Sequence, residues 1–156
     1  MYKLTIVTAE QTIYEGEIEM LVAPAVDGEI GILSNHRPIV TKLGPGAIKI
    51  TKAGGAEERL FTSGGYFEFN ENKAIILADV IENIDAIQAS EAAAARKKAQ
   101  ELLKTAKDDV EREKLEKELQ LNMIRERLAG MSKFGRKPAG RDTSGKEEMP
   151  FQNEQR

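Results

Sequence analysis

No glycine or proline interrupts the chain from Asp85 to Ala129, a run of 45 residues in a protein of 156. So long a stretch free of both strong breakers reads as helix. Elsewhere the breakers are dense: nine of the 13 glycines lie at or before Gly65, and the other four lie between Gly130 and Gly145. Charge follows the same divisions. Residues 1–84 carry 7 basic and 12 acidic side chains, residues 85–130 carry 10 of each, and residues 131–156 carry 6 and 4. The expected organisation is a β-domain over 1–84, a helical arm over 85–130 and a charged tail over 131–156.

The first segment reads as short strands. Tyr2, Leu4 and Ile6 alternate with Lys3 and Thr5, and Ile18, Met20 and Val22 alternate with Glu17, Glu19 and Leu21. That is the period of a half-buried strand. Turn signals recur at Asp27-Gly28, Gly44-Pro45-Gly46, Gly54-Gly55, Gly64-Gly65 and Asn70 to Asn72. Strands at such spacing predict an antiparallel β-sandwich or barrel rather than βαβ units. Pro38 suits the entrance to the Ile39-Val40 strand, because it cannot donate to a ladder. Six of the eight aromatic residues fall here, so the core is expected here.

In the second segment two capping boxes are legible, Asp85-x-x-Gln88 and Asp108-x-x-Glu111. They predict helices over about 85–105 and 109–129, with Gly130 as the stop. A thin stripe (Ala92, Ala95, Ala99, Leu102 or Leu103, Ala106) would face a bulkier one of Leu115, Leu119 and Met123 beside Leu121, Ile124 and Leu128. Alanine buries little area, so this interface is modest. Nothing between Lys104 and Lys107 forbids helix, so a hairpin and a single helix of about 45 residues are both open. A hairpin fixed on the β-domain is equally compatible. The tail beyond Met131 has the composition of a disordered segment, with a basic cluster at Lys133, Arg136, Lys137 and Arg141.

Catalytic chemistry finds little support. There is no cysteine and a single histidine, His36, which removes thiolate sites and leaves no histidine cluster for a metal. The net charge of −3 argues against a nucleic-acid binder working through a basic surface. No apolar run approaches the ~20 residues that span a bilayer, and the N-terminus lacks a signal-peptide core. Glu29 and His36, in the polar stretch DGEIGILSNH read as a connecting loop, would make an acid–base pair, but no nucleophile accompanies them. The glycine turns neither enter a helix nor carry the Lys-Ser/Thr of a phosphate loop. From the residues, the expectation is a non-catalytic interaction protein: no cofactor, no metal, a β-domain that docks and an arm that reaches.

The order of motifs then becomes specific. LTIVTAE from Leu4, YEGE from Tyr14, GEIGILSNHRPIVTKLGPG from Gly28, SGGYFEF from Ser63 and IILADV from Ile75 resemble the epsilon subunits of bacterial F-type ATP synthases. The resemblance is in register from about residue 3 to 89, and continues by length and helicity to about 130. It implies an N-terminal β-sandwich followed by two helices, placed in the central stalk at the cytoplasmic face of the bacterial plasma membrane. The β-domain would bind the gamma subunit and sit on the c-ring, touching the membrane only through the complex. It implies that the subunit couples ion flow to ATP synthesis without catalysing it. The region of Glu29, Gly31 and His36 resembles the part facing the c-ring, although Gly31 is equally explained as a turn residue. The helical pair of the family folds on the sandwich or extends along gamma toward the alpha and beta catalytic subunits, inhibiting hydrolysis. Arg96, Lys97, Lys98, Arg125 and Arg127 are the implied contacts of the extended form.

One motif departs from the pattern. Some members bind ATP through Ile/Leu-Asp-x-x-Arg-Ala, and the match here is Ile84-Asp85-Ala86-Ile87-Gln88-Ala89, with Gln88 in place of the arginine. Glutamine offers a phosphate no charge, so weak or absent ATP binding is expected. A stand-alone sandwich module with a helical arm, or a small hydrolase using Glu29 and His36, is the alternative class of function.

Overall fold

The computed structural model describes residues 1–134; of the tail expected to be disordered over 131–156, residues 131–134 are helical and the rest lies outside the described residues, as do the side chains of the basic cluster. Ten strands come first: β1 (Tyr2–Val7), β2 (Thr12–Ile18), β3 (Met20–Ala25), β4 (Gly28–Leu33), β5 (Ile39–Leu43), β6 (Gly46–Thr51), β7 (Glu57–Thr62), β8 (Gly65–Asn70), β9 (Lys73–Ala78) and β10 (Ile81–Asn83). Two helices follow, α1 (Ala89–Thr105) and α2 (Asp109–Phe134). The strands pair in the order β10-β7-β6-β3-β5-β8-β9-β1-β2, with β4 beside β3. Between β3 and β5 the ladder narrows to one pair, Ala25 with Leu43. At that corner the sheet folds on itself, so β10-β7-β6-β3-β4 and β5-β8-β9-β1-β2 face each other as the two leaves of a sandwich.

The alternation that predicted strands also fills the core. Leu4, Ile6, Leu43, Phe67, Phe69 and Ile76 from one leaf meet Leu21, Ala23, Ile32, Ile48, Ile50 and Leu60 from the other. Tyr2 crosses between them: its hydroxyl donates to the Ile32 carbonyl at 2.8 Å, and its ring meets Phe69 edge-on at 5.2 Å. Burial pushes the ionisation of that phenol well above its ordinary range.

One alternation was misphased. Ile18 points inward as expected, but Leu21 and Ala23 are buried where Met20 and Val22 were expected. The stretch is two strands rather than one. Glu19, whose N–H bonds the Thr51 carbonyl at 2.8 Å, marks the crossing to the other leaf, and the inward set shifts by one residue there.

The helix boundaries moved too. Asp85 does not cap α1, because Asn83 acts one turn earlier, its side chain accepting from the Asp85 N–H at 2.9 Å. A 3-10 turn, Ile84–Ala86, follows, and extended Ile87 precedes the Gln88 N-cap. Asp108 does cap α2, accepting from the Glu111 N–H at 2.7 Å. Gly130 does not stop α2, which runs on to Phe134. A helix-interior glycine costs only about 1 kcal/mol, which neighbouring good formers outweigh.

Candidate functional site

Two surfaces stand out, one on the sandwich and one where the arm meets it. On the sandwich, Tyr66 lies directly across from Leu77, which lies across from Val7. Ile75 follows two residues before Leu77 on the same face, and Val40 lies diagonal to Tyr66 through the Val40–Glu68 pair. Exposure confirms that this is the outward face: Val40 is 72% exposed, Tyr66 57% and Leu77 52%. Their strand neighbours Phe67 and Ile76 are fully buried. Apolar side chains therefore form a group on the outside of β5, β8 and β9, bordered by Val7 of β1, with Lys42 and Glu68 among them. Single exposed apolar residues are ordinary, but a contiguous group is the mark of a contact surface.

The residues singled out in the sequence do not form one site. Glu29 and Gly31 belong to a strand, β4, rather than to a loop, because Ile30 and Ile32 alternate inward between them. Gly31 accordingly serves no turn: it pairs with Val22, and its φ is not in the left-handed region. His36 lies past the far end of β4, its N–H bonded to the Leu33 carbonyl at 3.2 Å. Glu29 and Leu33 are separated by about 13 Å of strand, which places Glu29 and His36 beyond hydrogen-bond reach of each other. The His36 Nδ1 is 2.7 Å from the Arg37 carbonyl, and its ring packs edge-on against Phe69. Its loop is tied to the β8–β9 hairpin by reciprocal amide bonds, Asn72 accepting from the Asn35 N–H at 2.7 Å and donating to the Asn35 side chain at 2.9 Å. No acid–base machinery is assembled here.

In the arm, Ala92 and Ala99 of α1 are buried against α2, as expected, with Leu103 rather than Leu102 turned inward. On α2 the inward set is Leu115, Asn122 and Ala129, while Met123 is half exposed. Steps of four residues rotate a stripe by about 40° each, whereas steps of seven rotate it by only about 20°, so the seven-residue set stays on the seam. Asn122 is satisfied there, donating to the Glu118 carbonyl at 3.0 Å and accepting from Arg125 at 3.1 Å.

The five basic candidates divide sharply. Arg96 pairs with Glu126 across the two helices at 3.2 Å. Arg125 makes a two-pronged bond to the Glu82 carboxylate of β10, Nε to Oε2 at 2.7 Å and Nη2 to Oε1 at 2.8 Å. A forked, half-buried pair of this kind contributes on the order of 1–3 kcal/mol. Lys97, Lys98 and Arg127 are exposed. Glu82 gave no sequence signal, since a partner 43 residues away leaves no local pattern. A crevice of about 200 Å³ lies beside this pair, lined by Glu82, Asn83, Ala86, Ile87, Gln88, Glu91 and Arg125.

Residues 1–84 match the family model for the ATP synthase delta/epsilon chain, β-sandwich domain. The ATP synthase epsilon chain of Bordetella petrii is 37% identical over 117 residues, covering 75% of this chain and 83% of that one. The chain belongs to the ATP synthase epsilon-chain family. The epsilon chain of Psychrobacter arcticus is 40% identical over 106 residues, covering 68% of this chain and 77% of its own. In structure the chain is similar to one from the OSCP/F1/c-ring assembly of the Euglena gracilis mitochondrial ATP synthase, with a TM-score of 0.71 at 22% identity. That match covers 82% of this chain and 79% of the other, and it shows a shared fold. As an epsilon chain, the protein is a non-catalytic subunit of the synthase. Among the described residues no helix is long and apolar enough to cross a membrane, and no group of acidic or histidine side chains could hold a metal.

Proposed function

We propose that this epsilon chain works in the central stalk, coupling rotation of a c-ring to ATP synthesis through contact with gamma, and restraining ATP hydrolysis with its helices. The observation that carries this reading is the apolar outer face of β5-β8-β9, centred on Tyr66, which stays exposed among the described residues. We assign gamma to that face. His36, just before β5 and packed on Phe69 of β8, falls at its margin rather than with Glu29. Edge strand β4, presenting Glu29, Gly31 and Leu33 outward, is the surface assigned to the c-ring. The protein then sits at the cytoplasmic face of the bacterial plasma membrane, held there only by the complex.

For the arm, Lys97, Lys98 and Arg127 are already presented to a partner, while Arg125 becomes available only when the helices leave the sandwich and Arg96 only when they part from each other. Acidic surfaces of the alpha and beta subunits are the partners assigned to all five. The test is hydrolysis by a catalytic head complex depleted of epsilon, with the full chain or the fragment 1–84 added back. Both are expected to bind, and only the full chain is expected to suppress turnover. Suppression by neither would leave a coupling element without regulation, and failure of either to bind would favour the stand-alone module.

Nucleotide has no evident place in this regulation. In the crevice beside α2 the one lining cation, Arg125, is held by Glu82, Gln88 is uncharged, and Glu82 and Glu91 repel phosphate. Millimolar ATP is expected to shift the melting temperature by less than about 1 °C, the behaviour of a ligand far below its dissociation constant. A rise of several degrees in a calorimetric scan would overturn this.

A further inference from the structure

We propose that Glu82, Arg125 and Asn122 form one latch that ties undocking of the arm to separation of its two helices. This rests on the reading of the helical pair as a movable arm and adds what holds it closed. Arg125 is gripped from two sides. Glu82, on β10 of the sandwich, takes both prongs of its guanidinium, while Nη1 reaches the side-chain oxygen of Asn122. Asn122 is only 6% exposed and lies in the seam between α1 and α2.

The next residue of α2, Glu126, faces the other way and pairs with Arg96 of α1. With that pair setting an antiparallel register, Asn122 sits level with Ala99, the small side chain that leaves it room. When Glu82 lets go, Arg125 loses its two-pronged partner, and the side-chain oxygen of Asn122 loses its fixed donor inside the seam. A buried amide so loosened weakens the helix pair at the level where it is thinnest. The sandwich edge and the helix seam are thus read by one side chain, and undocking and helix separation occur together rather than by fraying from the tip of the arm. The trigger this geometry fits is a carboxylate-bearing protein surface, which competes with Glu82 and Glu126 for the two arginines.

The chain has no cysteine, so two can be introduced without background. Spin labels at Lys73→Cys and Lys117→Cys, both exposed positions, report arm-to-sandwich distance in the full chain. Glu82→Arg is expected to raise the ratio of extended to closed distances about ten-fold, and Glu82→Arg with Arg125→Glu to return it to within about two-fold of the parent, as a double-mutant cycle requires. Glu82→Gln, which keeps shape and removes charge, is expected to fall between. A second label pair, Lys98→Cys with Lys114→Cys, is expected to separate in the same variants and proportion. If the arm extends in high salt or on the head complex while the Glu82 variants match the parent, the latch is overturned and the movable arm stands. Extension with an unchanged helix-to-helix distance overturns the coupling. An arm that stays closed under every condition, including on the complex, overturns the movable-arm reading and the latch with it.

Discussion

Alanine at Gly65 is expected to cost about 4 kcal/mol or more of folding free energy, much of the stability of a small domain. Gly65 is paired on both sides, to Leu43 of β5 and to Ala78 of β9, and its φ is +147°. A Cβ there would lie 2.0 Å from the Leu77 carbonyl oxygen and 2.9 Å from the Ala78 Cα. Both obstacles are backbone, at the point where two ladders end side by side, so neither can swing aside as a side chain would. The strand has to shift, and with it the pairing that carries Tyr66. Urea unfolding followed by far-ultraviolet circular dichroism measures the loss. A change under about 1 kcal/mol would mean that the ladder yields more easily than its pairing implies. Gly31→Ala is the matched control. Its Cβ would meet only the tip of the Met20 side chain at 3.4 Å, so stability should hold to within about 1 kcal/mol.

Tyr66→Asp is expected to weaken binding to gamma about 100-fold while leaving the fold intact. Tyr66 is more than half exposed, so its removal opens no cavity, and a charge there stays in water in the free chain. In a complex it would be the centre of the contact, where aromatic residues concentrate binding energy and truncation costs about 2 kcal/mol or more. Aspartate also brings a charge that the contact must desolvate, with Glu68 on the same strand and face repelling it and Lys42, paired across from it, offsetting only part. Titration calorimetry with gamma, or with a head complex containing it, reads the effect. An affinity within about three-fold of the parent would place gamma elsewhere on the sandwich. Val40→Asp, at the rim of the same face, should lose less, because rim contacts mostly exclude water rather than bind.

The sandwich was legible because its strands announce themselves locally. Period-two runs such as Tyr2-Leu4-Ile6 and turn pairs such as Asp27-Gly28 need no knowledge of distant partners. The failures occur where the chain changes leaf or where two signals compete. At Glu19 the alternation continues on paper across a point at which the strand direction breaks, so the inward residues came out wrong by one. Asn83 outcompeted Asp85 as the first cap, because a 3-10 turn that buries Ile84 holds the chain before α1 can start. In α2 an apolar-only stripe drew Met123 inward, and the polar Asn122, which holds the position, was passed over. The outer face of Val40, Tyr66, Ile75 and Leu77 is spread over three strands and exists only once they are paired. Arg125 reads in the sequence only as an exposed cation, because Glu82, which holds it inside the chain, lies 43 residues away and leaves no local pattern.

The parallel pairing of β1 with β9 sets a schedule for the molecule's birth. Lys3 lies beside Lys73 and Val7 beside Leu77, so every contact of that ladder spans 70 residues. At about 5–20 residues per second, β1 waits roughly 4–14 s during synthesis for its neighbour, with only β2 to cover one edge. A lone two-stranded hairpin is marginal in water, so Leu4 and Ile6 stay open to misplaced partners throughout that wait. The helices follow all ten strands in the order of synthesis. Every strand of the sandwich is therefore made before the first residue of α1.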